Sequence, residues 1–266
     1  MKKVIALVLA LIMCFALVAC SNDGGDKEGE TKNQLETVKA NGKLVVASEG
    51  TWAPWTYHDE EDNLVGFDVE LGGYIAKKLG VEVDYVEAEW DGLFGGLDAG
   101  RYDLVINGVG YTEERAATYD FSDPYVYLDT VVVVRDDDDR ITKPEDLNGM
   151  STANTISSTY AQLAESYGAT VTGVDDLNQT MELLIQGRID ATVNDETAFN
   201  DYLRANPDAP IKIACVISRD SYYIPVRKGE SEMRAAVNQA IADLREDGTL
   251  KALSEKYLGS DMTTEE

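Results

Sequence analysis

Twice in this chain an apolar helical stretch ends in the pattern L-x-x-G-R-x-D and runs directly into an apolar strand, at Leu97–Ile106 (LDAGRYDLVI) and at Leu184–Val193 (LIQGRIDATV). In each copy the glycine can take the left-handed position that ends a helix, and the arginine complements the negative end of the helix dipole. A helix that returns its chain to a strand in this way builds α/β layers around a largely parallel sheet. The repetition, although only ten residues long, predicts two lobes of like construction.

The rest of the chain follows the same alternation. Strand-like runs fall at Leu44–Ala47, Val81–Val86, Asp103–Ile106, Ser151–Asn154, Ala169–Thr172 and Ile189–Val193. Helical spacing joins Leu71, Tyr74, Ile75 and Leu79 up to Gly80, and further helices are expected over Asp91–Ala99, Thr159–Tyr167, Asp175–Gln186 and Glu196–Ala205. Two terminal helices carry the stripes Met233, Val237, Ile241, Leu244 and, after Thr249 as N-cap, Leu250, Leu253, Tyr257. Polar segments follow both echoed strands, Asn107–Thr112 and Asn194–Thr197. Ligands of open α/β sheets bind beyond strand carboxyl ends, so a cleft lined by these two segments is expected.

Charge and composition narrow the ligand class. With 23 Lys+Arg against 49 Asp+Glu the net charge is −26, which repels nucleic acid and anionic membrane surfaces alike. One histidine, His58, and one cysteine in the body, Cys215, leave a Cys/His zinc site or a histidine-based nucleophile without partners, and no metal or cofactor is expected. The acidic run Asp136–Asp139 lacks the alternate ligands of a calcium loop and has Ile141 where its glycine would stand. Gly72-Gly73 reads as a close-packing point in a helix, and His58 as a surface residue of a hairpin.

The N-terminus reads as a secretory leader. Lys2 and Lys3 precede an apolar run from Val4 to Leu17, too short for the ~20 residues of a membrane span. The run ends in Leu17-Val18-Ala19-Cys20, which resembles the bacterial lipobox: cleavage before Cys20 and lipidation of its sulfur are expected. Ser21–Lys32 has no apolar residue and would act as a flexible tether reaching about 20 Å. The expected layout is a signal peptide at 1–19, a lipidated Cys20 and tether over 20–42, and a folded body from Lys43.

Several separated motifs then carry a family resemblance. Gly66-Phe-Asp-Val-Glu-Leu71, Gly50-Thr-Trp-Ala-Pro-Trp55, Thr112-Glu-Glu-Arg115, Tyr119-Asp-Phe-Ser-Asp-Pro-Tyr125 and Arg188-Ile-Asp190 with Asp195 resemble, in order, motifs of the bacterial extracellular solute-binding proteins for polar amino acids, the receptors of ATP-driven importers. The similarity spans about Leu35 to Gly259. It implies a periplasmic-binding-protein-like fold, two α/β lobes joined by a two-strand hinge. The crossings are expected near Thr130–Arg135 and Ser221–Val226, with one lobe formed by 43–131 plus 222–259 and the other by 132–221.

By the same resemblance Arg115 would grip a ligand carboxylate and Asp195 an α-ammonium, one from each lobe, although Asp195 can equally cap the helix that follows it. Trp52 and Trp90 would flank the ligand side chain, and Glu49 would read its tip. Asn107 would belong to the ligand site, and Gly108 and Gly110 would offer backbone groups, Gly110 standing where many members carry Ser or Thr. Thr155, Ser158 and Thr159 would present N–H groups at a helix start. The expected function is capture of an amino acid, cystine ahead of basic amino acids, by a lipid-anchored monomer that delivers it to a membrane permease. The rival is an enzyme on the same fold, a dehydratase for which Glu49 is the obvious spare acid.

Overall fold

A computed structural model describes residues 33–265; the leader, Cys20 and the tether up to Lys32 lie outside the described residues. The body begins earlier than expected, at a helix Gln34–Asn41 inside the segment assigned to the tether. Asn33 starts it with a reciprocal capping box to Glu36, and Gly42 stops it in the left-handed conformation. Leu35 and Val38 are its apolar contacts with the core among the described residues, too sparse a stripe to stand out by periodicity.

The strand Lys43–Ser48 is the centre of a parallel three-stranded sheet, flanked by Glu82–Glu87 and Leu104–Val105. The helix Phe67–Leu79 packs on it through Phe67, Leu71 and Ile75, each fully buried. Burial of side chains of this size stabilises by roughly 1.5–3 kcal/mol each. Gly66, at φ 134°, starts that helix where any side chain would strike the Trp55 carbonyl.

The second sheet has six strands in the order Thr170–Gly173, Ser151–Asn154, Ala191–Asp195, Val126–Arg135, Ile211–Tyr223, Val109–Gly110. Its first three are parallel, as the alternating pattern predicts. The remaining pairings are antiparallel, because Val126–Arg135 and Ile211–Tyr223 run out and back between the lobes as one long ladder. Val126 and Leu128 pack into the first lobe, and Val131 to Val134 into the second. The changeover therefore falls at Asp129 and Thr130, opposite Arg219 and Ser218, slightly earlier on both strands than the expected crossings. Beyond Gly259 the chain still packs: Tyr127 donates to the Met262 carbonyl at 2.8 Å, and Thr263 is buried.

The echoed motif is a repeat in three dimensions. Gly100 and Gly187 have φ of 65° and 68°. The N–H groups of Arg101 and Arg188 close the same wide turn, onto Gly96 and Leu183 carbonyls, both at 2.9 Å. The aspartates share a role that spacing did not reveal. Asp103 accepts the N–H of Val45 at 2.9 Å and Asp190 that of Ser151 at 2.9 Å, each pinning the start of the neighbouring parallel strand. Asp190, grouped with the second-lobe site by resemblance, thus lies at the amino end of its sheet, with Arg140 at 2.7 Å.

Two local expectations are corrected. Thr249 is not the N-cap of the last helix: Gly248 precedes it in the left-handed conformation, and Asp247 accepts the Thr249 N–H at 3.0 Å. Gly72 and Gly73 are not forced by packing, since an added Cβ would meet only ordinary contacts with Tyr85 and Ile106. In the acidic run, Asp138 is paired with Arg140 at 2.6 Å and Asp139 with Lys212 at 2.6 Å.

Candidate functional site

A cavity of about 50 Å³ lies between the lobes, at the carboxyl ends of both sheets. Seven of the expected residues line it: Glu49, Trp52, Trp90 and Gly108 from the first lobe, Thr155, Ser158 and Thr159 from the second. Asn194 also lines it, from a polar segment expected at the cleft, whereas sequence reading missed Thr51, Asn154, Tyr160, Asp176, Leu177 and Thr180 on the same walls. Asp176 carried the one usable signal, an acid at the mouth of a helix facing the cleft.

Glu49 leaves the strand Lys43–Ser48 and is held by Asn107. The Asn107 amide donates to Glu49 Oε2 and accepts its backbone N–H, both at 2.7 Å. Asn107 itself is fully buried and does not line the cavity. Burial raises the Glu49 carboxyl to about 7; the Asn107 hydrogen bond opposes this, and the negative charges of Asp176 and Asp91 add to it. The folded state therefore holds this proton more tightly than the unfolded chain. Its contribution to stability is present below about pH 4.5 and is lost as pH rises through 7. Wild type and Glu49→Gln should unfold at similar temperatures at pH 5, with wild type falling below the variant by pH 8. Thermal denaturation across that range checks this, and parallel curves would contradict it.

Gly108 is required where it stands. Its φ is 53°, and a Cβ would sit 2.5 Å from the Trp52 ring and 2.9 Å from that of Tyr222. Its N–H donates to Asp68 Oδ2 at 2.7 Å. Asp68, in the G-F-D-V-E-L segment, is wholly buried; desolvation raises its carboxyl to about 7, opposed by the nearby Tyr125 hydroxyl and the Gly108 N–H. Trp52 packs among Trp55, Tyr160 and Tyr222, with ring centroids 5.8, 6.5 and 6.1 Å away. Trp90 opens the helix Trp90–Asp98 and packs edge-on against Phe94.

Gly110, Arg115 and Asp195 lie outside the cavity wall. A Cβ on Gly110 would stand 3.2 Å from Thr159 of the other lobe, so the missing side chain lets the lobes approach. The Arg115 guanidinium lies over Trp90 and Phe94, at 5.3 and 5.1 Å from their centroids. It donates to the Gly110 carbonyl and, across the cleft, to that of Ser157, both at 2.8 Å. Burial lowers its pKa to about 10, with only Glu114 opposing.

Asp195 is fully buried and does cap the helix Glu196–Ala205, accepting the Ala198 N–H at 2.7 Å and the Thr197 hydroxyl. Its other oxygen takes Trp55 Nε1 at 3.2 Å, Tyr222 OH at 3.1 Å and Tyr160 OH at 3.3 Å. Trp55 and Tyr222 belong to the first lobe's core. The carboxylate is thus a hub between lobes, and desolvation raises its pKa against these hydrogen bonds. Ser158 caps the helix Thr159–Ser166 through the Ala161 N–H at 3.1 Å.

Two lobes, a hinge of paired strands and a cleft that carries charged groups and indoles are the geometry of a receptor for a small polar solute. Residues 44–260 match the model of the bacterial extracellular solute-binding proteins, family 3. The chain belongs to that family. It is 39% identical to the L-cystine-binding protein TcyA of Bacillus subtilis (strain 168), over 99% of this chain and all of the relative. An ancestral arginine-binding protein bound to arginine superposes with a TM-score of 0.77 at 38% identity, covering 82% of this chain and 99% of that one.

The L-cystine solute receptor of Neisseria gonorrhoeae, unliganded and open, is 40% identical over 88% of this chain and all of its own, yet its TM-score is 0.62. Comparable identity with poorer superposition is what a change in lobe angle produces. With the hydrogen bonds that cross the cleft, it marks the present arrangement as closed. These relatives are solute-binding proteins, not enzymes, and the family location is extracytoplasmic.

Proposed function

We propose that this solute-binding protein captures an amino acid for an ABC importer, closes on it by hinge motion and delivers it to the permease, with cystine as ligand ahead of basic amino acids. The observation that carries the reading is the pairing of Glu49 with Trp52 and Trp90 on one cavity, in a chain similar over its full length to a cystine-binding protein. A desolvated carboxylate calls for an ammonium or other cation. Indole faces suit a disulfide, because sulfur packs favourably against aromatic rings.

In this reading Arg115 and the first turn of the helix Thr159–Ser166 receive the α-carboxylate, and Asp195 receives the α-ammonium in place of the Tyr160 hydroxyl, the longest of its three aromatic hydrogen bonds. A ligand that touches both lobes favours the closed form. Calorimetry of purified, refolded protein with cystine and arginine under non-reducing conditions tests this. Cystine should bind more tightly and be recovered unchanged; tighter arginine binding would reverse the choice, and a converted ligand would favour the dehydratase reading.

Anchoring at Cys20 is proposed on the lipobox and the polar segment behind it. Cys20→Ser should move the protein from the detergent to the aqueous phase of a detergent partition. Finding the unaltered protein in the aqueous phase would refute the anchor.

A further inference from the structure

Resting on the reading that the ligand is an amino acid with an ammonium-bearing far end, we propose that Asp176 and Asn154 of the second lobe complete, with Glu49 of the first, the receptor for that end. Closure then discriminates by itself. The two carboxylates are brought to one cavity from opposite lobes, and a cation between them turns a repulsion into a double attraction.

The three residues line the same cavity as Trp90. Asp176 caps the helix Leu177–Ile185 through Oδ1, 2.9 Å from the Gln179 N–H, while Oδ2 has only a 3.4 Å approach from the Gln179 amide. Asn154 ends its strand almost completely buried, at 4% exposure. Its Nδ2 donates to the Val193 carbonyl at 2.7 Å, which fixes the amide and leaves Oδ1 as a buried acceptor with no donor among the described residues. Such an atom is costly unless a ligand supplies the missing N–H. An ammonium has three N–H donors, and Glu49, Asp176 and Asn154 Oδ1 are three acceptors.

Trp90, at 7% exposure, leaves its Nε1 as a buried donor with no acceptor among the described residues, on the same wall. That group calls for an acceptor. A second α-amino-acid head carries an ammonium and a carboxylate together, whereas a guanidinium offers donors alone. The wall therefore fits the far end of a cystine better than that of an arginine. The charge of Asp176 already acts on the Glu49 carboxyl, consistent with their facing each other across the closed cleft.

Asparagine caps helices as well as aspartate does, so Asp176→Asn removes the charge and keeps the cap. Wild type, Asp176→Asn and Glu49→Gln would be titrated under non-reducing conditions with L-cystine, L-arginine and the mixed disulfide of cysteine and 3-mercaptopropionic acid, which is cystine less one ammonium. Wild type should prefer cystine to the mixed disulfide by roughly ten- to hundredfold, the range for a hydrogen-bonded charge. Asp176→Asn should narrow that preference severalfold, losing cystine affinity and gaining affinity for the mixed disulfide, with an unchanged unfolding midpoint. A preference unchanged in Asp176→Asn while wild type still selects cystine overturns the second-lobe assignment alone. Equal wild-type affinity for the two disulfides overturns the whole far-end receptor. Wild type that binds neither cystine nor arginine overturns the functional reading, and this inference with it.

Discussion

Asp195→Ala is expected to depopulate the closed form far more than it destabilises the fold. In the open arrangement the substitution removes a helix cap, worth about 1 kcal/mol. In the closed arrangement it also strands Trp55 Nε1 and one of the Tyr160 and Tyr222 hydroxyls, which hydrogen-bond each other, all of them buried in or against the first lobe's core. A buried donor left without a partner costs about 1–3 kcal/mol, so several kcal/mol weigh against closure alone. Chemical denaturation would report the smaller loss and small-angle X-ray scattering with saturating ligand the larger one. Asp195→Asn, which keeps the cap and one acceptor, should fall between wild type and alanine. A compact, ligand-responsive Asp195→Ala protein with wild-type affinity would refute the hub.

That hub also marks where sequence reading reaches its limit. The N-cap role of Asp195 is legible because cap and helix are neighbours in the chain, and the residues do form that cap. Its meeting with Trp55 and Tyr222 is a long-range event between lobes, with no local trace. The echoed turns were legible for the same reason that the Asn33 cap should have been: glycine, arginine and capping residues act within one helical turn. The matching roles of Asp103 and Asp190 could not be read, since each bonds a strand far away in sequence. Glu49, Trp52 and Trp90 were placed by motif. Asn154 and Asp176 were missed because a strand-end amide and a helix cap have sufficient local explanations, and only the closed cleft brings them to one cavity.

Arg115 supplies the second large expectation. A half-buried guanidinium is normally matched by a carboxylate, and Glu113 and Glu114 are its nearest acids in sequence. Neither pairs with it among the described residues; its hydrogen-bond partners there are the carbonyls of Gly110 and Ser157, and burial holds its pKa down at about 10. A cation desolvated by this much, with no carboxylate in contact among the described residues and only the charge of Glu114 acting on it, is a standing demand for an anion, and the ring faces of Trp90 and Phe94 meet only part of it. The Ser157 carbonyl holds one guanidinium nitrogen from across the cleft, a contact that the proposed α-carboxylate would take over. Arg115→Ala should therefore weaken ligand binding by about 2–5 kcal/mol, the cost of removing one partner of a buried charge pair. Arg115→Lys should recover only part of that loss, because an ammonium keeps the charge but not the planar pair of donors. Calorimetric titration of the three proteins with one ligand decides the matter: affinity unchanged in the alanine variant would remove Arg115 from the carboxylate site, and full recovery by lysine would show that charge alone, without the fork, is what the ligand reads.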